Sequence, residues 1–133
     1  MQYFHSYKEA HETLQLPGSW QRGTIGSPQT GLSSIKLTVN PKSLDRLSPN
    51  LKTVYYVGKG LKGSPGQPVK SQEAMDQQLF YRSLYTKNPV AVLVKVKTGM
   101  VIFLGMYRVT SVRLVPLGNK EIEYYQIKLV SIR

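Results

Sequence analysis

Alternation and periodicity divide the chain into short elements. Ser34-Ile35-Lys36-Leu37-Thr38-Val39 alternates, with Ile35, Leu37 and Val39 on one side and Lys36 toward solvent, and predicts a strand. Thr53 to Val57 predicts a second strand, ended by Gly58-Lys59-Gly60. Val90 to Val96 is apolar on both sides at its start, the mark of a central strand. Val101 to Val115 predicts a long strand or bent strand pair with a bulge or kink at Gly105. After a turn at Leu117-Gly118-Asn119-Lys120, Tyr124 to Ile132 predicts a closing strand with Tyr125, Ile127 and Leu129 on one face.

Two segments carry the helical period. Ser6 can cap a helix and Glu9, three residues on, can complete a capping box. Tyr7, Ala10 and Leu14 share a face of that helix, His11 falls at its surface, and Pro17-Gly18 ends it. Ser71 can cap a second helix running to about Tyr85. Residues 17–33 read as a Gly/Ser/Pro-rich connection, 40–52 as a polar loop and 58–70 as a basic loop. Five or six strands with two short helices predict an α+β fold: a curved, barrel-like, mostly antiparallel sheet with the helices packed outside. Neither an internal repeat nor a linker divides the chain, so 1–133 is expected to be one domain, with 1–22 as its N-terminal helix and connection.

Charge changes the picture most. Eighteen Lys/Arg face seven Asp/Glu, a net charge of +11 and a pI near 10.0. Between Lys42 and Lys97 stand ten Lys/Arg and three acids. That excess on a domain of this size points to a polyanionic partner, nucleic acid above all. A basic helix that would lie on a membrane is not evident, and the longest apolar run, Val90 to Val94, is too short to span one. The absence of cysteine removes disulfides, thiol catalysis and Cys-ligated zinc, and fits an intracellular location in cytoplasm, nucleoid or nucleus.

Catalytic patterns are thin. His5 and His11 fall together at one helix, and there is no Gly-x-Ser-x-Gly elbow and no phosphate-binding Gly-x-x-x-x-Gly-Lys-Ser/Thr loop. The seven acids are scattered, so no metal and no cofactor is expected. Aromatic residues beside cations are better represented. Tyr55-Tyr56-Val57-Gly58-Lys59-Gly60 places adjacent rings on opposite strand faces, one entering the core and one facing a cavity or solvent. A ring at the mouth of a basic groove is a stacking platform, worth ~1–3 kcal/mol per base.

The order of these segments resembles the SRA domain family, DNA readers of the PUA-like superfamily that flip a modified cytosine out of the duplex. Arg22-Gly23-Thr24-Ile25-Gly26 with Gly31 and Ser34-Ile35-Lys36-Leu37 resembles the family's glycine loop and first core strand. Val54-Tyr55-Tyr56-Val57-Gly58-Lys59-Gly60 resembles its Tyr-Thr-Gly-x-Gly strand end, and Asp76-Gln77-Gln78-Leu79 its Asp-Gln-Lys-Leu helix. Asn88-Pro89-Val90-Ala91-Val92, Phe103-Leu104-Gly105-Met106-Tyr107-Arg108-Val109 and Tyr125-Gln126-Ile127-Lys128-Leu129 follow in the family's order.

The resemblance implies that Tyr56 stacks on the flipped base, with Val57 and Gly58 lining the pocket wall. It implies that Leu61 to Lys70 enters the duplex, with Lys62 or Gln67 filling the vacated space. Lys36, Lys42, Lys52, Lys59, Lys62 and Lys70 then include the phosphate contacts, joined by Arg22 from the glycine loop. The family's pocket loop carries Gly-Gly-Tyr followed by acids. Here residues 40–47 hold no aromatic residue, Asp45 is the single carboxylate, and Asn40 is a second candidate for reading the base edge. Leu104 also replaces the Asp of the family's Tyr-Asp-Gly. The partner implied is double-stranded DNA with a modified base. The chain would be a reader rather than an enzyme, a targeting module beside a nuclease domain or subunit. Two alternatives stay open. One is a GIY-YIG-like nuclease, built on Tyr55-Tyr56-Val57-Gly58 with Arg82 and Glu121 in support, and the other is a PUA-like RNA-binding module.

Overall fold

The structure is a computed structural model, and it describes residues 2–16, 24–27, 29–38, 45–57, 71–116 and 123–132. The elements run β1 (Gln2–Phe4), α1 (Tyr7–Thr13), β2 (Thr24–Ser27), β3 (Gly31–Thr38), β4 (Arg46–Leu47), β5 (Thr53–Val57), α2 (Ser71–Thr86), β6 (Val90–Lys97), β7 (Met100–Pro116) and β8 (Glu123–Ser131). The strands form one sheet in the order β2-β3-β6-β7-β8-β5-β4, with β1 paired to β7 off that path. All pairings are antiparallel except β3 with β6. The sheet is open: β2 and β4 are its edges.

The apolar run at Val90 explains the middle of this sheet. β6 lies between β3 and β7, and all five residues from Val90 to Val94 are buried because both faces are covered. On the inner face, Val90, Val92 and Val94 join Ile35, Leu37, Val54, Tyr56, Tyr107, Val109, Ile127 and Leu129 in the main core. Helix α2 covers this face with Leu79 and Phe80. Each such fully buried side chain contributes about 1.5–3 kcal/mol relative to exposure. Leu93 points to the outer face and packs with Phe4, Ala10 and Val101 beneath α1. The two helices therefore sit on opposite faces of the sheet.

The start of α1 follows its capping signal. The Ser6 hydroxyl accepts from Glu9 N at 3.1 Å, and the Glu9 carboxylate accepts from His5 N at 3.2 Å. That return bond reaches one residue further back than a standard capping box. His11 departs from its expected surface place. It is buried, because α1 lies flat on the sheet and turns both Ala10 and His11 inward. Its Nε2 has no partner among the described residues, and burial together with nearby Lys36 pushes its pKa down.

Three strands were not visible as such in the sequence: β1, β2 and β4. The second lies within the expected Gly/Ser/Pro connection, where Gly26 and Gly31 permit close approach. Gly31 has φ +84°, and a Cβ there would lie 2.5 Å from the Ser83 hydroxyl. Ser83 is itself buried and accepts from Leu32 N at 2.6 Å, fixing α2 to the start of β3. The kink expected at Gly105 is present as a register shift opposite Val92 and Leu93, with φ +127° at the glycine. Val39, loop 58–70 and the turn at 117–120 lie outside the described residues.

Candidate nucleic-acid interface

β3 ends at Thr38 and β5 ends at Val57, with β6, β7 and β8 between them in the sheet. A flat sheet would hold these ends far apart. Here both donate to one side chain: Asp45 accepts from Thr38 N at 3.0 Å through Oδ2 and from Val57 N at 2.9 Å through Oδ1. The sheet is therefore curled, and Asp45 clasps its two sides at one end. Asp45 is 8% exposed, and this burial pushes its pKa up against the opposing pull of both N–H groups and of Arg46. The Arg46 guanidinium also donates to the Asp45 carbonyl at 2.8 Å. Segments 39–44 and 58–70, carrying Lys42, Lys59, Lys62 and Lys70, leave from these two strand ends.

The adjacent tyrosines of β5 take opposite faces. Tyr56 is the inward ring, 5% exposed, perpendicular to Phe80 with centroids 6.4 Å apart. Tyr55 is the outward ring and is half-buried. A base that stacks on Tyr56 must therefore enter the inside of the curl, next to Asp45 and Val57. The structure brings the Tyr56 ring, the Val57 backbone and Asp45 together at one place, while the Val57 side chain alternates to the outer face, opposite Gln126.

Lys36 does not face open solvent. It is half-buried, its Nζ lies 4.5 Å from the centroid of the Tyr7 ring, and burial lowers its pKa to about 8. Tyr7 is pushed up to about 12 by its own burial, and its hydroxyl donates to Leu37 O at 3.5 Å. The physical reason is α1, which lays an aromatic ring across a strand face that alternation alone assigns to water. Lys52 is exposed on the turn before β5, at the opposite end of that strand from Val57 and Asp45. Arg22, Asn40, Lys42, Gly58, Lys59, Lys62, Gln67 and Lys70 lie outside the described residues.

Sequence reading passed over two cations. Lys95 is exposed and pairs in register with Thr38, and Lys97 follows it, so both stand at the clasped end. The signal was present: the buried run of β6 stops at Val94 and gives way to Lys95-Val96-Lys97. Arg82, the arginine of the nuclease alternative, donates to Gln29 O at 3.1 Å, near the opposite end of β3, while Glu121 lies outside the described residues. Among the described residues no group of three or more His, Asp or Glu is arranged to hold a metal ion. No helix among them is long and apolar enough to cross a membrane.

Neither a family model nor a curated protein sequence matches the chain. Solved structures do. A modification-dependent TagI restriction endonuclease superposes with TM-score 0.72 at 18% identity, over 97% of this chain and 48% of that one. This chain thus spans about half the length of that enzyme. The SRA domain of SUVH5 in complex with hemimethylated CG DNA superposes with TM-score 0.72 at 21% identity, over 97% of this chain and 84% of that one. KRYPTONITE in complex with mCHG DNA superposes with TM-score 0.69 at 17% identity, over 99% of this chain and 32% of that one. The open, curled, mostly antiparallel sheet with a helix on each face is the SRA fold.

Proposed function

We propose that this chain is a DNA-binding module that recognises a modified cytosine in duplex DNA by flipping it out of the stack. The observation that carries the proposal is the Asp45 clasp. On an SRA fold, it places a buried carboxylate beside Tyr56 and Val57, where two lysine-bearing segments leave the sheet. The structural neighbours that hold methylated DNA, and the neighbour that is a modification-dependent restriction enzyme, support the same reading.

The chemistry follows from the residues. Flipping a base costs a few kcal/mol. Stacking on Tyr56 returns about 1–3 kcal/mol. A carboxylate has roughly four acceptor sites, so the exocyclic amino group of a cytosine can donate to Asp45 alongside the backbone groups. The backbone at Val57 and Gly58 forms the wall, and Asn40 is the second edge-reading candidate. Lys36, Lys42, Lys59, Lys62, Lys70 and Arg22 hold phosphates near the pocket, Lys52 holds one further along the duplex, and Gln67 or Lys62 fills the vacated space. The module carries no cutting chemistry of its own. It directs a nuclease domain or subunit to modified DNA, in whichever compartment that DNA lies.

A binding panel tests this. Duplexes with unmodified, methyl-, hydroxymethyl- and glucosylated cytosine, hemi- and fully modified, are titrated at physiological salt. The proposal requires a preference for at least one modified duplex. Equal affinity for all of them leaves only general DNA binding.

A further inference from the structure

The hairpin between β6 and β7 stands at the clasped end, because Thr38 pairs in register with Lys95. Lys95 through Gly99 are all exposed, and Thr98-Gly99 makes the turn. Strict alternation would put Lys95 and Lys97 on one face, but the register separates them. Lys95 pairs with Val101 and Lys97 with Met100, so Val96 is an extra residue on β6, a β-bulge. Residues directly opposite one another on antiparallel strands share a face. Val101 packs on the outer face with Phe4 and Leu93, so Lys95 is outward too. Met100 precedes Val101 and takes the other face, in line with Ile102, which pairs with the core residue Val94. The bulge therefore turns Lys97, and not Lys95, to the inner side of the curl.

That side is where a base meets Tyr56. Asp45 stands at the same end, but its carboxylate is engaged by Thr38 N and Val57 N, and the cation that acts on it is Arg46. Lys97 is thus an exposed cation at the inner rim of the pocket mouth. Flipping rotates a nucleotide about its backbone, so the base enters the pocket while its phosphates stay at the rim. An ammonium on a flexible stem is a point charge that can follow a phosphate as the strand deforms. We infer that Lys97, turned inward by the bulge at Val96, grips the phosphate beside the flipped nucleotide. This rests on the pocket reading and adds to it the residue that holds the extruded strand.

The test uses the full chain and duplexes with methyl-, hydroxymethyl- or glucosylated cytosine at one position. The duplex that wild type holds most tightly is rebuilt with a neutral methylphosphonate on either side of the modified nucleotide, one side at a time. Lys97→Gln should bind the unaltered duplex roughly tenfold more weakly, with a salt dependence shallower by about 0.9. Wild type should lose a similar factor at one of the two methylphosphonates. Lys97→Gln should lose almost nothing more there, because the contact is already gone. Lys8→Gln makes the same change in net charge at an exposed site on α1. It should stay within about twofold of wild type on the unaltered duplex, since distant exposed charges are screened. The inference is overturned if Lys97→Gln loses no more affinity than Lys8→Gln, or if the losses from variant and methylphosphonate add at both positions. Wild type that binds modified and unmodified duplexes alike sinks the pocket reading, and this inference with it. Wild-type preference for a modified duplex combined with additive losses sinks this inference alone.

Discussion

Thr38 and Val57, ends of strands separated by three others in the sheet, are joined through one side chain, the carboxylate of Asp45. Asp45→Ala leaves both N–H groups without that acceptor. Both bonds are part-buried and run to a carboxylate, and a hydrogen bond to a charged group contributes about 1.5–3 kcal/mol, so unfolding in urea should report a loss of about 2–4 kcal/mol. An unchanged midpoint would mean that the curl is held elsewhere. Asp45→Asn keeps one acceptor oxygen and should cost less stability, yet its amide cannot accept on both sides. Preference for the modified duplex should fall by roughly tenfold, about 1.4 kcal/mol.

Lys36 titrates at about 8 in the folded chain because it is half-buried, against 10.5 ordinarily. Between those values the unfolded chain holds more protons, so this residue makes stability rise with pH across that window. DNA affinity should move the other way, since a neutral amine no longer attracts phosphate. Lys36→Arg stays charged. Titrations from pH 7 to 9 should show wild-type affinity falling more steeply than that of the arginine variant. Parallel curves for the two proteins would remove Lys36 from the interface.

Tyr56 separates packing from recognition. Tyr56→Phe keeps the ring against Phe80 and should retain the preference for modified duplex. Tyr56→Leu keeps apolar bulk but loses the stacking face, and should lower that preference by about 1–3 kcal/mol. Competition binding against unmodified duplex gives the readout. Equal preference in the two variants would show that the ring does not meet the base. Tyr56→Ala is a poor choice, because emptying the core there would cost about 3–5 kcal/mol of stability by itself.

Gly31→Ala should destabilise more than its single methyl suggests. The position has φ +84°, and the new Cβ would lie 2.5 Å from the Ser83 hydroxyl and 2.7 Å from Ser83 N. Strain and clash together predict a loss of about 2–4 kcal/mol. Ser83→Ala removes the 2.6 Å bond to Leu32 N and should cost about 1–3 kcal/mol. Denaturant midpoints that put the two variants in the reverse order would contradict the close helix–strand contact.

Elements whose pattern is set by one buried face were legible. Ile35 and Leu37, Val54 and Tyr56, and Tyr125, Ile127 and Leu129 alternate as expected, and the Val90 run marks the centre of the sheet. What escaped was fixed by contacts distant in sequence. β2 and β4 are short edges whose partners alone define them, and the parallel pairing of β3 with β6 follows from neither strand's own pattern. His11 and Lys36 read as surface residues, but α1 turns the first toward the sheet and lays Tyr7 against the second. At the site, the segment order pointed to Tyr56, Val57 and Asp45, but not to their joining across an open sheet. Lys95 gained its place only through register with Thr38.

The two tyrosines of β5 leave that strand indifferent to its own direction of facing. Side chains alternate with a period of two, so a one-residue slip exchanges inside for outside. In Thr53-Val54-Tyr55-Tyr56-Val57 such a slip would still put a tyrosine on each face and a valine inside. Hydrophobic pattern alone does not reject the shifted pairing. The bonds that do are specific to one residue each: Val57 N to Asp45, and Ser48 N to Thr53 O at 2.9 Å. During folding, the polar segment ahead of β5 thus acts as an alignment key, choosing which tyrosine becomes core and which becomes surface.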